Sequence, residues 1–351
     1  MISTAPALAE LISDLAAFDP IAVDTEADSL HCYFEKLCLI QISFDERDLL
    51  VDPLAGLDLQ PLFQALGSKL LILHGADYDL RLMRRTGFSE PRAVFDTMIA
   101  ARLTGHPEFS LAALVKQYFA VELVKGSQKA NWARRPLSEQ MEAYARNDTH
   151  FLIILAGILE RRLRELGRWE WFEQSCVKAV ATARIDKERD IETAWRITGS
   201  SDLRGRSAAL LRALWFWRDS EARSADRPAF HVLQNDNLIE AATRLDQGGK
   251  VSFPHFSSSR QRRFDAAVEA ALALPEEEWP RPIRKPRVRP TPEQERAFAT
   301  LKTRRDSTAA KLQLDPALIA PKATLEQIAA DPSAASSRLL PWQLALLEPI
   351  S

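Results

Sequence analysis

Five side chains in the first half of the chain are of types that together can do chemistry on a phosphodiester. They are Asp24 and Glu26 in IAVDTEADS, Asp79 in LHGADYDL, and Tyr144 and Asp148 in YARNDTHF. Asp24 and Glu26 lie two apart in an apolar run that reads as a strand, so their carboxylates leave it on one face. Tyr144 and Asp148 lie four apart in a helical stretch, SEQMEAYARNDTHFLIILAGILERRLRELG, and also share a face. Met141, Leu152, Leu155 and Leu159 continue that face as an apolar stripe. An unpaired charge buried there would neutralise or find a partner, and a divalent cation can be shared by several carboxylates. Few, hard oxygen ligands suit Mg²⁺ or Mn²⁺ better than zinc. Two such ions can clamp the attacking and leaving oxygens of a phosphodiester, so hydrolysis of that bond is the chemistry suggested.

Taken in order, these residues resemble the motifs of the DEDD family of 3′-to-5′ exonucleases, in the subgroup with tyrosine in the last motif. Asp24-Thr25-Glu26 matches the first motif, Leu73-His74-Gly75-Ala76 followed by Asp79 the second, and Tyr144-x-x-x-Asp148 the third. Trp132, Arg135, Pro136 and Leu137 are similar to the WxxRPL segment of ribonuclease D and its exosome-associated relatives. Each match alone is weak, and the ordered set is specific. The resemblance implies that Asp24, Glu26 and Asp148 hold one metal while Asp24 and Asp79 support a second, partly through water. Tyr144 would orient the attacking water, because a phenol of ordinary pKa is a poor base at neutral pH. Thr25, His74, Trp132 and Arg135 are assigned to substrate binding, Arg135 as a bidentate phosphate donor beside the third motif. His74 is not assigned as a base, since a histidine ending an apolar strand is commonly a hydrogen-bonded structural residue.

These side chains need a scaffold that the apolar periodicity outlines. IAVDTE, KLCLIQIS and DLLVDP read as three successive antiparallel strands. A helix at LDLQPLFQAL, a strand at LLILHG, a helix from Asp77 to about Arg85 ended by Gly87, and a short strand at AVFDT follow. Asp77 is expected to cap its helix and leave Asp79 as the inward carboxylate; Asp96 or Thr97 would cap MIAARL, and Ser110 would cap LAALVKQYF. This β-β-β-α-β-α-β-α order is the one the resemblance implies, a ribonuclease H-like (DnaQ-like) α/β exonuclease domain with a mixed sheet.

Beyond about residue 170 helical patterns dominate and a weak repeat appears. Arg218-Asp219-Ser220 pairs with Arg305-Asp306-Ser307, Pro228-Ala229 with Pro316-Ala317, and Leu238 with Leu325. Each copy looks like an HRDC domain, and a tandem pair behind the catalytic domain is the layout of ribonuclease D. The boundaries expected are an exonuclease domain at 1–170, a helical connector at 171–200, HRDC domain 1 at 201–280, a basic proline-rich linker at 281–292 and an HRDC-like domain 2 at 293–351. Trp215 and Trp217 flank an apolar helical stripe and read as core rather than as base-stacking platforms.

With 351 residues the chain is long enough for two or three domains, and 46% hydrophobic with 27% charged residues is a globular rather than a disordered composition. Cys32, Cys38 and Cys176 show neither a disulfide framework nor metal-ligand spacing, which fits a reducing cytoplasm. No stretch is long enough to span a bilayer, and nothing marks the start for export. Net charge is only −2, so the positive charge a nucleic acid needs must be local, as in Arg134-Arg135 and RPIRKPRVRP. The expectation is a cytoplasmic, metal-dependent exoribonuclease that trims RNA with a free 3′ end and releases nucleoside 5′-monophosphates. Precursor tRNA is the substrate implied by the family, and no obligate protein partner is evident. A DNA exonuclease of the Werner type and a non-catalytic RNA-binding scaffold are the alternatives, the second disfavoured by the complete set of ligands.

Overall fold

The computed structural model describes residues 1–123, 126–185, 190–282 and 289–348. Helix α1 (Ala5–Leu15) precedes three antiparallel strands, β1 (Ile21–Ala27), β2 (Leu37–Phe44) and β3 (Arg47–Val51). Helix α2 (Gln60–Gly67), strand β4 (Leu70–Leu73), helix α3 (Asp77–Arg85), strand β5 (Ala93–Asp96) and helices α4 (Thr97–Leu103) and α5 (Leu111–Phe119) follow. The five strands form one mixed sheet in the order β3-β2-β1-β4-β5, with β1/β4 and β4/β5 parallel. Asp24 and Glu26 therefore ride on the central strand. All of β2 is buried, as a strand covered on both faces must be.

Helices α6 (Glu139–His150), α7 (Leu152–Glu165) and α8 (Trp169–Ala183) complete this part. The single long helix expected around Tyr144 and Asp148 is two, separated at Phe151. The two halves are drawn to different cores. Ala145 and Tyr144 of α6 pack with Leu39, Leu50 and Trp132 against β2 and β3, whereas Leu152, Leu155 and Leu159 of α7 pack beside α4 and α8. Thr149 and His150 anchor the end of α6 to the sheet. Ser43 donates to Thr149 Oγ1 at 2.6 Å, and His150 Nδ1 lies 2.7 Å from Asp48 Oδ2. Asp77 is not the cap of α3: it is the first helical residue, follows Ala76 at the N-cap, and pairs with Arg81 one turn on.

The rest of the chain is helical: α9 (Ile191–Ala194), α10 (Gly205–Ser224), α11 (Ala229–Val232), α12 (Asn235–Asp246), α13 (Ser258–Leu272), α14 (Pro292–Leu312), α15 (Pro316–Ile319), α16 (Lys322–Ala330), α17 (Ala335–Arg338) and α18 (Pro341–Leu347). Contacts divide the chain into two units, one of Met1–Ala27, Leu37–Asp186 and Val288–Ser351, the other of Asp28–Lys36 and Lys187–Arg287. The basic run expected as a linker lies partly outside the described residues, at 283–288.

In the second unit, Trp215 and Trp217, expected as core, form a closed core with Leu211, Leu238 and Phe264. The β1–β2 connection is part of it. Tyr33 donates its hydroxyl to Asp219 at 2.8 Å, and Asp226 Oδ1 accepts the Phe34 backbone N–H at 3.0 Å.

In the first unit, α14–α18 share one core with the catalytic helices: Ala309, Ile319, Leu325 and Trp342 pack with Leu155, Leu159 and Phe172. Trp342 stacks on Trp171 at 5.0 Å between ring centroids. The buried Arg168 guanidinium donates to two helix ends at once, to Leu103 O of α4 and to Leu312 O of α14, both at 2.7 Å. Such bonds from a charged donor satisfy carbonyls that a helix end leaves without an internal partner.

The sequence repeat has a structural counterpart. Arg218 of α10 donates to Leu233 O, and Arg305 of α14 donates to Ala320 O, each at 2.9 Å and each fifteen residues on, where a four-residue helix ends. Leu238 and Leu325 are fully buried in the helices that follow.

Candidate active site

Pairing of β1 with β2 sets Asp24 opposite Gln41, and the Gln41 Nε2 group donates to Asp24 Oδ2 at 3.2 Å. Asp24 and Glu26 face α6, where Ser138 caps the helix by accepting the Met141 N–H. About three turns along that helix, Asp148 comes to them. Oxygens of Asp24, Glu26 and Asp148 lie within 4.8 Å of one another. Asp79, in the first turn of α3, joins from the next strand crossing: its Oδ1 accepts the Thr25 backbone N–H at 3.1 Å and the Thr25 hydroxyl at 2.5 Å. Thr25 thus orients a carboxylate contributed from far along the chain. All four carboxylates, with Tyr144, Thr25 and His74, line one cavity of about 620 Å³.

Electrostatics shows what this cluster lacks. Burial, followed by repulsion from Asp148 and Asp79, raises the Glu26 carboxyl to about 9. Burial also raises Asp148 to about 7, although the Tyr144 hydroxyl draws it back, and Asp79 to about 7 against the hydrogen bonds from Thr25. Asp24 is pushed well above the carboxylate range, by burial first and then by Asp79, Asp148 and Glu26. Burial, then Asp148, Glu26 and Asp24, hold the Tyr144 phenol protonated at neutral pH. Four acids in one pocket, with no Lys or Arg among its described lining residues, are held partly neutral. An all-oxygen donor set of this charge and spacing fits a hard divalent cation, which would return the acids to their ionised form.

His74 stands at the cavity wall with its ring fixed. Thr97 Oγ1 donates to Leu73 O at 2.9 Å, so its contact of 2.9 Å with His74 Nδ1 makes that nitrogen the donor. Burial lowers the imidazole's pKa, which keeps it neutral.

Trp132 and Arg135, expected as substrate contacts, do not line this cavity. Trp132 is buried, with its ring 6.0 Å from that of Tyr144, and so backs the phenol from behind. Arg135 has no donor left for a phosphate. Its Nε and NH2 groups grip Asp52 at 2.7 and 2.6 Å, NH2 also reaches Cys38 O at 2.7 Å, and NH1 donates to the carbonyls of Trp132 and Arg134 at 2.7 and 2.9 Å. The guanidinium instead clamps the WxxRPL segment to the sheet edge.

Two residues that sequence reasoning missed complete the setting. Gln41 looked like one more residue of an apolar strand, and only the β1/β2 register reveals its bond to Asp24. Asp96 was read as a helix cap, and it does accept the N–H groups of Met98 and Ile99. Its two oxygens also accept the N–H groups of Gly75 and Ala76, at 3.0 and 2.9 Å, which fixes the turn that launches α3 and Asp79. The strand pairing Leu73↔Asp96 creates that second role.

A family model described as a 3′-5′ exonuclease matches residues 1–164, and an HRDC domain model matches residues 207–248. The chain is 32% identical to ribonuclease D of Zymomonas mobilis over 296 residues, covering 80% of this chain and 74% of that one. It is 29% identical to ribonuclease D of Desulfotalea psychrophila over 340 residues, covering 93% and 90%. Among solved structures it is similar to Escherichia coli RNase D, described as an exoribonuclease involved in structured RNA processing. That match has a TM-score of 0.70 and 28% identity, and covers 100% of this chain and 92% of the other.

Proposed function

The chain belongs to the ribonuclease D family and is a metal-dependent 3′-to-5′ exoribonuclease, and from that premise we propose that it trims the 3′ ends of structured RNA, tRNA precursors first among them, in the cytoplasm. The observation that carries the catalytic reading is the convergence of Asp24, Glu26, Asp79 and Asp148 with Tyr144 on one cavity. Asp24, Glu26 and Asp148 would hold one divalent ion, and Asp24 with Asp79 would support a second, Mg²⁺ or Mn²⁺ in each case. Bound there, the ions would supply polarisation of the attacking water and stabilisation of charge on the phosphate.

The chain's own groups do the rest. Gln41 and Thr25 fix the carboxylates through the bonds to Asp24 and Asp79. Tyr144 keeps its proton and positions a water by hydrogen bonding rather than by deprotonating it. Attack on the last phosphodiester breaks its bond to the 3′ oxygen of the preceding residue and releases a nucleoside 5′-monophosphate. His74 and Thr25, both at the cavity wall, are the substrate contacts.

The helical modules fit the same layout. Residues 201–280 hold the HRDC domain matched above, and residues 293–351 would be a second, HRDC-like module. The equivalent bonds of Arg218 and Arg305 support that kinship. The shared core of the second module with the catalytic helices favours a packing role for it over an independent RNA clamp.

Purified protein with Mg²⁺ or Mn²⁺ should shorten 5′-labelled RNA stepwise, leave 3′-phosphate-blocked RNA intact, and stop on addition of a chelator. Asp24→Ala should abolish shortening at any metal concentration, and Tyr144→Phe should slow it only in part. Internal cuts, cutting that survives Asp24→Ala, or a preference for DNA would reject the proposal.

A further inference from the structure

A second cavity, of about 710 Å³, adjoins the carboxylate pocket and shares Ser110, Ala112 and Leu123 as a common wall. Its most prominent apolar group is Phe109, 37% exposed. A single exposed aromatic ring is unremarkable by itself. Three observations set this one apart.

The ring stands on a fixed support. Upstream, His106 is held between Thr104 Oγ1 and the Tyr118 hydroxyl, at 2.9 and 2.8 Å, and downstream Ser110 caps α5 by accepting the Ala113 N–H. The Arg102 guanidinium lies 5.3 Å from the ring centroid, which steadies one side of the ring by a cation–π contact. The second cavity also lies across the shared wall from the carboxylate pocket, so a strand leaving the carboxylates on that side has this groove beside it.

Charge on the described lining residues would not draw a strand into the groove. Among the described lining residues, Lys116 is paired with Glu122, Nζ 2.6 Å from Oε1, and Glu108 adds a further negative charge, so they offer no net positive charge. An aromatic face offers affinity that is independent of base identity, because every nucleobase has a π-face. Resting on the hydrolytic reading above, we infer that Phe109 is a stacking platform for the nucleotide on the 5′ side of the scissile phosphodiester. The groove thereby makes the enzyme prefer a strand over an isolated nucleotide ester.

The test compares two substrates of the intact, Mg²⁺-loaded enzyme. One is an RNA tetranucleotide; the other is the nitrophenyl ester of uridine 5′-monophosphate, which carries the scissile phosphodiester but no upstream nucleoside. Phe109→Ala should lower the ratio of kcat/KM for the tetranucleotide to that for the ester roughly 5- to 100-fold, chiefly through KM, as expected for loss of one stacked base. Phe109→Trp should restore the ratio. The loss should be equal at low and moderate salt, since no phosphate contact is removed. An unchanged ratio, an equal fall on both substrates, or a loss that Trp does not rescue would overturn the inference. Wild-type protein inert on both substrates would instead reject the hydrolytic reading, and the platform with it.

Discussion

Replacing Glu26 with glutamine should stabilise the metal-free protein in alkali and destroy its response to metal. Below about pH 4 the carboxyl is protonated in both the folded and the unfolded chain and contributes nothing. As pH rises, the unfolded chain ionises first, near 4.5, while the folded group resists until about 9. Stability present in acid therefore drains away between those values. At pH 8 the folded chain forgoes ionisation over 3.5 pH steps (8 less 4.5). At about 1.4 kcal/mol per step, this sets a ceiling of roughly 5 kcal/mol.

Asp24, Asp79 and Asp148 share the remaining protons, so one neutral substitution recovers only part of this, about 1–3 kcal/mol. For a protein of this size that is a rise of roughly 1–4 °C in the unfolding midpoint. Thermal unfolding in EDTA at pH 5, 6.5 and 8 reads it directly. Glu26→Gln should gain little at pH 5 and most at pH 8. Mg²⁺ should raise the midpoint of the wild type, increasingly with pH, and leave the variant nearly unmoved. Equal stabilisation of the variant at pH 5 and 8, or none at either, would refute the account of a carboxylate cluster waiting for cations.

Three further perturbations separate roles that sequence alone assigns differently. Arg135→Lys should lower stability by about 2–4 kcal/mol, because Asp52 and three carbonyls lose fixed donors. Its KM for RNA, measured in steady state, should stay within twofold; a large rise in KM would restore the phosphate-binding role. Asp96→Ala strips acceptors from Gly75 and Ala76 and should cost about 3 kcal/mol in urea unfolding. It should also weaken Mg²⁺ binding measured by calorimetry, as Asp79 loses its launching turn. Arg168→Met should cost about 2–4 kcal/mol and raise amide hydrogen exchange near the ends of α4 and α14 together, as one guanidinium serves both carbonyls.

Where legibility ended is instructive. Asp24, Glu26, Tyr144 and Asp148 could be read because strand period and helix period act within a few residues, and the pairing of Ser110 with Ala113 is equally local. The antiparallel β1–β3 meander was legible for the same reason. Interactions across the fold were not. Arg135 looked free because its acceptors, Asp52 and Cys38 O, lie more than eighty residues upstream. Nothing local distinguishes a helix cap that serves one helix from one that, like Asp96, also serves a neighbouring strand's turn. The break at Phe151 escaped periodicity because the apolar stripe continues through it while its two halves settle on different cores. Asp77 was placed as a cap by residue type, although Ala76 fills the position and Asp77 already belongs to the first turn.

The shared core of α14–α18 with α7 and α8 bears on biosynthesis. When a ribosome has released residue 183, every carboxylate ligand has been made, yet Trp342, which stacks on Trp171, and the other α14–α18 members of that core are still untranslated. At about 5–20 residues per second, the last of them emerge roughly 10–30 seconds later. Through that interval the nascent nuclease carries an uncovered apolar flank, which favours its capture by chaperones and its degradation if translation stalls. A prematurely terminated chain then lacks the structural completion that an RNA-degrading enzyme would otherwise carry into the cell.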